Sequence, residues 1–192
     1  MEMLKMSTIK MSLAALPLLL IAALPARAHV VLEQQEAEAG SAYKAVFKVG
    51  HGCAGSATRE ISITLPAGLR GARPTPKPGW TLTLRQDRLA QPYESHGRLV
   101  SEGVTEVRWT ANSEADFLQD AWYDEFVLRA SLPEQPGTLW FQVRQRCQQG
   151  ESNWAERPAS GDSIQGLKFP AARLTLTGRK SADTPPAAAQ PH

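Results

Sequence analysis

Apolar and polar residues alternate with a period of two along much of the chain, which is the pattern of strands with one buried face. β-Branched and aromatic residues are enriched in the same segments, and turns rich in proline and glycine separate them. Short strands spaced by such turns predict an all-β fold, a β-sandwich. The predicted strands cover residues 29–34, 43–49, 59–65, 80–86, 104–110, 125–132, 138–145 and 172–177.

Helical periodicity is nearly absent, and residues 113–124 are the one stretch that could hold a helical turn. Strands and helices do not alternate, so the sequence does not indicate a nucleotide-binding α/β fold. A G-x-S-x-G motif is also missing, and four histidines are too few to indicate a catalytic triad. These features favour a protein that is not an enzyme.

The start of the chain has the features of a secretory signal peptide. Lys5 and Lys10 give a charged beginning, an apolar run covers residues 13–24, and Ala26-Arg27-Ala28 supplies an A-x-A cleavage site. The apolar run is too short to cross a bilayer comfortably. We predict cleavage after Ala28, which gives a periplasmic or secreted protein that does not span the membrane.

This cleavage divides the chain into a signal peptide (residues 1–28), a β-sandwich domain (residues 29–178) and a tail (residues 179–192). The tail has no apolar periodicity and is predicted to be disordered. The signal peptide holds three of the 21 basic and one of the 19 acidic residues, so 18 of each remain. A net charge near zero argues against a dedicated nucleic-acid binder.

Cys53 and Cys147 are the only cysteines. An isolated pair in an exported β domain predicts one disulfide, because the compartment is oxidising. Cys53 follows a predicted strand and Cys147 follows another, which places the bridge at one end of the sandwich. The alternative is a thiolate ligand for a soft metal such as Cu(I).

His29 becomes the first residue after the predicted cleavage. A free α-amine and an imidazole Nδ1 on one residue can close a chelate ring on a metal. Both nitrogens suit Cu(II), and an α-amine loses its proton readily, with a pKa of about 7.7–8.0. The alternative is that His29 is simply the residue the protease leaves behind.

A second histidine, His51, lies in the segment Gly50-His51-Gly52-Cys53. If Cys53 is bridged to Cys147, the bridge brings His51 near Trp154, which is predicted to lie in an otherwise polar loop. Trp154 could shield a metal from water and reductants, or it could simply fill the core. His51 could equally be a solvated residue of a glycine-rich turn.

Several stretches of the chain, taken in order, resemble the YcnI-like domain family of exported copper-binding proteins. They are residues 29–33, 47–53, 58–66, 74–80, 123–126 and 147–154. The resemblance covers about residues 29–176. It implies an immunoglobulin-like β-sandwich of about seven to nine strands. It also implies a Cu(II) site with a brace formed by the amine and imidazole of the N-terminal histidine, a carboxylate and a nearby tryptophan.

On this resemblance His29 matches the brace histidine and Trp154 the tryptophan. The segment around His51 stands where related chains carry the acidic ligand. The third ligand is therefore either His51 or a carboxylate from elsewhere, with Asp124 and Glu125 as candidates. An acidic cluster that also includes Asp120 otherwise indicates a solvated loop.

The leading hypothesis is a non-enzymatic Cu(II)-binding protein of copper homeostasis, a chaperone, buffer or sensor, with His29, His51 and Trp154 as metal-site residues. Expected partners are the copper ion and another periplasmic copper chaperone or a membrane copper transporter. All four methionines lie before residue 29, so the mature chain offers no thioether to Cu(I). The alternatives are a histidine-brace oxidative copper enzyme that attacks polysaccharide, and a structural β-sandwich without a metal.

Overall fold

The structure is a computed structural model that describes residues 29–179. The predicted signal peptide and residues 180–192 of the predicted tail lie outside the described residues. Arg179, the first residue of that predicted tail, forms ion pairs with Glu38 and Glu134 at 3.6 and 3.1 Å. None of the described segments is a helix long and apolar enough to cross a membrane.

Within residues 29–179 the chain forms eleven strands, one 3₁₀ turn at Glu114–Asp116 and no α-helix. All eight predicted strands are found, and the 3₁₀ turn lies in the stretch predicted to hold a helical turn. The strands are β1 (Val31–Leu32), β2 (Glu36–Glu38), β3 (Ala42–Val49), β4 (Thr58–Thr64), β5 (Arg70–Pro74), β6 (Trp80–Ser95), β7 (Arg98–Ala111), β8 (Asp124–Ser131), β9 (Gly137–Cys147), β10 (Glu151–Trp154) and β11 (Ala172–Thr177).

The strands form two sheets, as expected for a β-sandwich. The small sheet has the order β1-β3-β8-β5. The large sheet has the order β2-β11-β9-β4-β7-β6, and β10 pairs with β9 beside it. Strands β2, β5 and β10 were not predicted, so the count exceeds the expected seven to nine. The three are short, and β2 and β5 lie at sheet edges, where alternation is weak.

Alternation along β3 places Tyr43, Ala45, Phe47 and Val49 in the space between the sheets, where all four are buried. Phe47 meets Phe141 of the large sheet edge to face, with 5.4 Å between ring centroids. That geometry is the favoured one for aromatic pairs. The core therefore consists of the inward faces of the two sheets, which is what the period-two pattern predicts.

Strands β6 and β7 form a long hairpin at the edge of the large sheet. Its two-residue turn is His96-Gly97, with φ angles of 50° and 72°. Two positive φ angles match the type I′ turn that two-residue hairpins favour. The hairpin places β6 on the open edge of the sheet and β7 beside β4.

The predicted disulfide between Cys53 and Cys147 is present, with 5.9 Å between the Cα atoms. Cys53 lies in the loop after β3 of the small sheet, and Cys147 ends β9 of the large sheet. The bridge thus ties the two sheets together at one end of the sandwich. It also holds the loop that carries His51 against the large sheet.

Replacing both cysteines by alanine should lower the free energy of unfolding by about 2–5 kcal/mol, because the bridge closes a long loop in the unfolded chain. Urea unfolding of the double variant and of the oxidised protein measures the difference. The native protein unfolded with a reductant is the control and should behave like the double variant. Equal urea midpoints for the oxidised protein and the double variant would contradict the predicted stabilisation.

Candidate metal centre

Trp154 is buried, with 3% of its surface exposed, and it ends strand β10 rather than lying in a polar loop. Strand β10 pairs with β9 so that Trp154 faces Val143. Exposed and buried residues alternate along β10, which turns Ser152 and Trp154 inward. Trp154 packs edge to face on Phe169 at 5.2 Å. Trp154 is therefore part of the core, and its indole can also contact side chains outside strand β10.

The structure brings the three metal-site residues predicted from the sequence together. The imidazole of His29 lies 5.6 Å from the indole of Trp154, and that of His51 lies 6.3 Å away, measured between ring centroids. The interplanar angles are 76° and 73°, so both contacts are edge to face. One buried indole thus contacts two imidazoles that are 22 residues apart in the chain.

His29 enters the site at the start of the small sheet. Val30 is buried, and Val31 of β1 pairs with Lys48 of β3, which fixes the backbone just after His29. The Nε2 atom of His29 is buried and has no hydrogen-bond partner among the described residues. Buried polar atoms are normally paired. An orphaned imidazole nitrogen therefore fits a ring that has a further partner in its functional state.

His51 is held by the loop that follows β3. Its Nδ1 donates to the carbonyl of Gly52 at 2.5 Å, and its own carbonyl accepts from the side chain of Gln145 at 2.7 Å. A neutral imidazole that donates through Nδ1 carries its lone pair on Nε2, a nitrogen with which histidine commonly binds metals. A Cβ on Gly52 would lie 1.8 Å from the carbonyl oxygen of Ser56, so the loop needs glycine there.

Gln145 joins the parts of the site and was not predicted. It is fully buried on β9. Its Nε2 donates to the carbonyl of His51 at 2.7 Å and to Thr58 Oγ1 at 2.8 Å, and its Oε1 accepts from Trp154 Nε1 at 3.2 Å. These bonds fix the tryptophan and the backbone of His51 relative to each other. The available signal was a polar residue at an inward position of a strand, after Phe141 and Val143.

A cleft of about 770 Å³ opens beside the disulfide. His51, Cys53 and Trp154 line it, together with Phe169 and Lys168. His29 does not line this cleft and borders a small cavity of about 40 Å³ instead. Trp154 therefore contacts His29 and also forms part of the wall of the cleft that holds His51.

The carboxylates considered as a third ligand are engaged elsewhere. Asp124 forms an ion pair with Lys77 at 2.6 Å. Glu125 accepts a hydrogen bond from the hydroxyl of Tyr123 at 2.6 Å, and this bond is the main reason that the pKa of Tyr123 rises to about 12. Within residues 29–179 no three His, Cys, Asp or Glu side chains form a group that could hold a metal.

Asp120 is the carboxylate that the structure places beside the His51 loop. Its Oδ1 accepts from the backbone N–H of Gly52 at 2.9 Å, and the residue lines the same cleft as His51. From the sequence it belonged to an acidic cluster interpreted as a solvated loop. It is only half exposed, and its hydrogen bond helps to fix the loop after β3.

Residues 29–176 match a protein family described as a domain of unknown function, DUF1775, so the chain belongs to this family. YcnI-like proteins belong to the same family, which confirms the resemblance at that level. A search of curated proteins finds no match.

Two solved structures are similar to the chain. One is a crystal structure of an uncharacterized protein from Nocardia farcinica that reveals an immunoglobulin-like fold. Its sequence is 27% identical to this chain and the TM-score is 0.59. The match covers 77% of this chain and 97% of that one. The other, a putative membrane anchored protein from Corynebacterium diphtheriae, is 10% identical with a TM-score of 0.40 over 79% of this chain and 34% of that one. The first likeness confirms the predicted immunoglobulin-like β-sandwich.

Replacing Gln145 by leucine should lower the free energy of unfolding by about 2–4 kcal/mol. The substitution leaves the Trp154 N–H, the Thr58 hydroxyl and the His51 carbonyl without their partner in a buried place. Gln142→Leu on the outer side of the same strand is the matched control, and its effect should stay within about 0.5 kcal/mol. Urea unfolding measures both. Similar losses for the two variants would mean that the buried network does not stabilise the fold.

Proposed function

We propose that this protein is an exported Cu(II)-binding protein of copper homeostasis, acting as a chaperone, buffer or sensor and not as an enzyme. The observation that carries the proposal is the pair of imidazoles, His29 and His51, packed against one buried indole, Trp154. Membership of the family is consistent with this proposal.

The donor atoms favour Cu(II) over Cu(I). The two imidazoles offer nitrogen, which suits Cu(II). Soft sulfur ligands are absent from the described residues, because Cys53 and Cys147 are bonded to each other and no methionine occurs after residue 28.

The brace requires that His29 is the first residue of the mature protein. The A-x-A motif that ends at Ala28 supports cleavage at that bond. The match to the family also begins at His29, as expected if the domain starts there. The disulfide supports an oxidising compartment, the periplasm or the cell exterior.

Trp154 supports holding or transferring the metal rather than oxidative catalysis. An oxidative copper enzyme needs an open coordination position and a substrate surface. Trp154 packs against both imidazoles and would cover one side of the metal, restricting the access of water and reductants. We infer that copper leaves by transfer to a partner, another periplasmic copper chaperone or a membrane copper transporter.

The proposal predicts that one Cu(II) binds the chain that begins at His29 and binds at least tenfold, and up to about a hundredfold, more weakly to a chain with one extra residue before His29. The extension removes the free amine from His29, so the small chelate ring cannot close. Calorimetry and electron paramagnetic resonance at neutral pH measure affinity and nitrogen coordination. Binding should also weaken as the pH falls, because protons compete with copper for amine and imidazole nitrogens.

The control is an extra residue at the C-terminus, which leaves the amine of His29 unchanged and should leave copper affinity unchanged. His51→Ala should weaken binding less than the N-terminal extension does. Equal affinity in the cleaved and the N-terminally extended chains would refute the brace and the copper function with it.

Trp154→Phe should leave the fold intact and change the copper spectrum. Phenylalanine keeps an aromatic ring in the core but removes the N–H that bonds Gln145, so the indole contact with both imidazoles is altered. Circular dichroism checks the fold, and electron paramagnetic resonance follows the copper. Trp140→Phe, at a half-buried position on β9, is the matched control. An unchanged copper spectrum in a folded Trp154→Phe variant would assign this residue to the core alone.

A further inference from the structure

The outer face of the large sheet carries a polar trough of about 310 Å³, away from the candidate metal centre. Its floor consists of Ser62 and Thr64 on β4. In register with Ser62, Arg108 lies on the neighbouring strand β7 and Arg144 on the other neighbour, β9. The side chains on β4 are short, whereas those on the two flanking strands are long, and this difference leaves an open channel above β4. Its walls are completed by Arg85, Glu106, Gln142 and Asn153.

The trough has more positive than negative charge. Glu106 is its only carboxylate among the described residues, and it serves two arginines, Arg85 at 3.3 Å and Arg108 at 2.7 Å. Arg144 has no carboxylate within 4.0 Å in the described part of the chain. Arg85 also pairs with Asp87 at 2.8 Å, and Arg108 with Glu60 at 3.8 Å. Among the arginines that line the trough, Arg144 is therefore the one without a carboxylate partner in the described residues, and its guanidinium donors face the channel.

The protein itself shows how a carboxylate occupies this channel. Two residues before Ser62, on the same face of β4, Glu60 is 9% exposed and pairs with arginines of the two neighbouring strands. Its Oε1 is 3.8 Å from Arg108 Nε and 3.6 Å from Arg146 NH1, and it accepts a hydrogen bond from Ser62 Oγ at 3.2 Å. Glu60 thus fills the channel with a negative charge at that end.

Ser62 has an arginine at its register position on both neighbouring strands, whereas Glu60 has one arginine and one threonine, and Ser62 carries no carboxylate. Arg108 and Arg144 flank Ser62 as Thr110 and Arg146 flank Glu60. The side chain of Ser62 is short and neutral, so it places no negative charge between the two guanidinium groups. Two adjacent strands are about 4.8 Å apart, so the two arginines start about 10 Å apart and can reach a small oxyanion from both sides.

We propose that this trough binds a small ligand that carries an oxyanion, a carboxylate or a phosphate group. The charged oxygens lie between Arg108 and Arg144, in the position that corresponds to the Glu60 carboxylate. Guanidinium groups bind such oxygens through paired N–H donors. The hydroxyl of Thr64 and the amide of Asn153 can supply further hydrogen bonds, since the hydroxyl of Ser62 already donates to Glu60. The volume is at the lower end of small-ligand sites.

The test is a titration of metal-free protein with inorganic phosphate and, separately, with succinate, at constant ionic strength. Two-dimensional ¹H–¹⁵N spectra follow the backbone N–H of Ser62 and the arginine Nε–H groups. The variants are Arg144→Gln, which leaves no acidic partner behind, and Ser62→Glu, which supplies a carboxylate of the chain itself. Arg98→Gln, at an exposed arginine beside the hairpin turn, is the matched control.

Saturable shifts are expected in the native protein and in Arg98→Gln with at least one of the two anions. The affinity should fall about tenfold to a hundredfold in Arg144→Gln, since a charge-assisted bond is lost. It should be abolished in Ser62→Glu. No saturation with either anion, or equal affinity in the native protein and Arg144→Gln, would overturn the proposal and leave a solvated network of ion pairs. Native-like spectra in the absence of anion check that both variants fold.

Discussion

The buried amide of Gln145 is the interaction on which the geometry of the candidate centre depends. An amide in the core is costly unless its donors and acceptor are paired, and Gln145 pairs with the His51 carbonyl, the Thr58 hydroxyl and the Trp154 indole. Because one rigid group satisfies all three, none can move independently without leaving a buried polar atom unpaired. The orientation of the indole and the path of the His51 loop are therefore set together.

The disulfide and the Gln145 network constrain the site in different ways. The bond between Cys53 and Cys147 limits how far the loop can move from the large sheet, but a single covalent link permits rotation. Hydrogen bonds are directional, so they select one of the orientations that the bridge allows. The bond from Gly52 to Asp120 fixes the other side of the loop. Together these contacts position His51 before any ligand is present.

Most of the fold could be predicted from the sequence, because a strand with one buried face leaves a period-two pattern. The short strands β2, β5 and β10 have too few residues to show that pattern, and so Trp154 was placed in a loop. In the candidate site, residues whose chemistry can be recognised from residue type and position in the chain, such as His29 and the cysteine pair, could be predicted from the sequence. The role of Gln145 and the contact from Asp120 to Gly52 were not, since both depend on which distant strands and loops meet.

The open edge of the long hairpin is poorly suited to the addition of a strand from another chain. Strand β6 is 16 residues long and forms the open edge of the large sheet, where unpaired backbone groups could template the addition of another chain. Pro92 lacks an N–H, the pairing with β7 is interrupted between Arg88 and Tyr93, and charged side chains cover the strand. These features break the straight edge that amyloid-like growth requires.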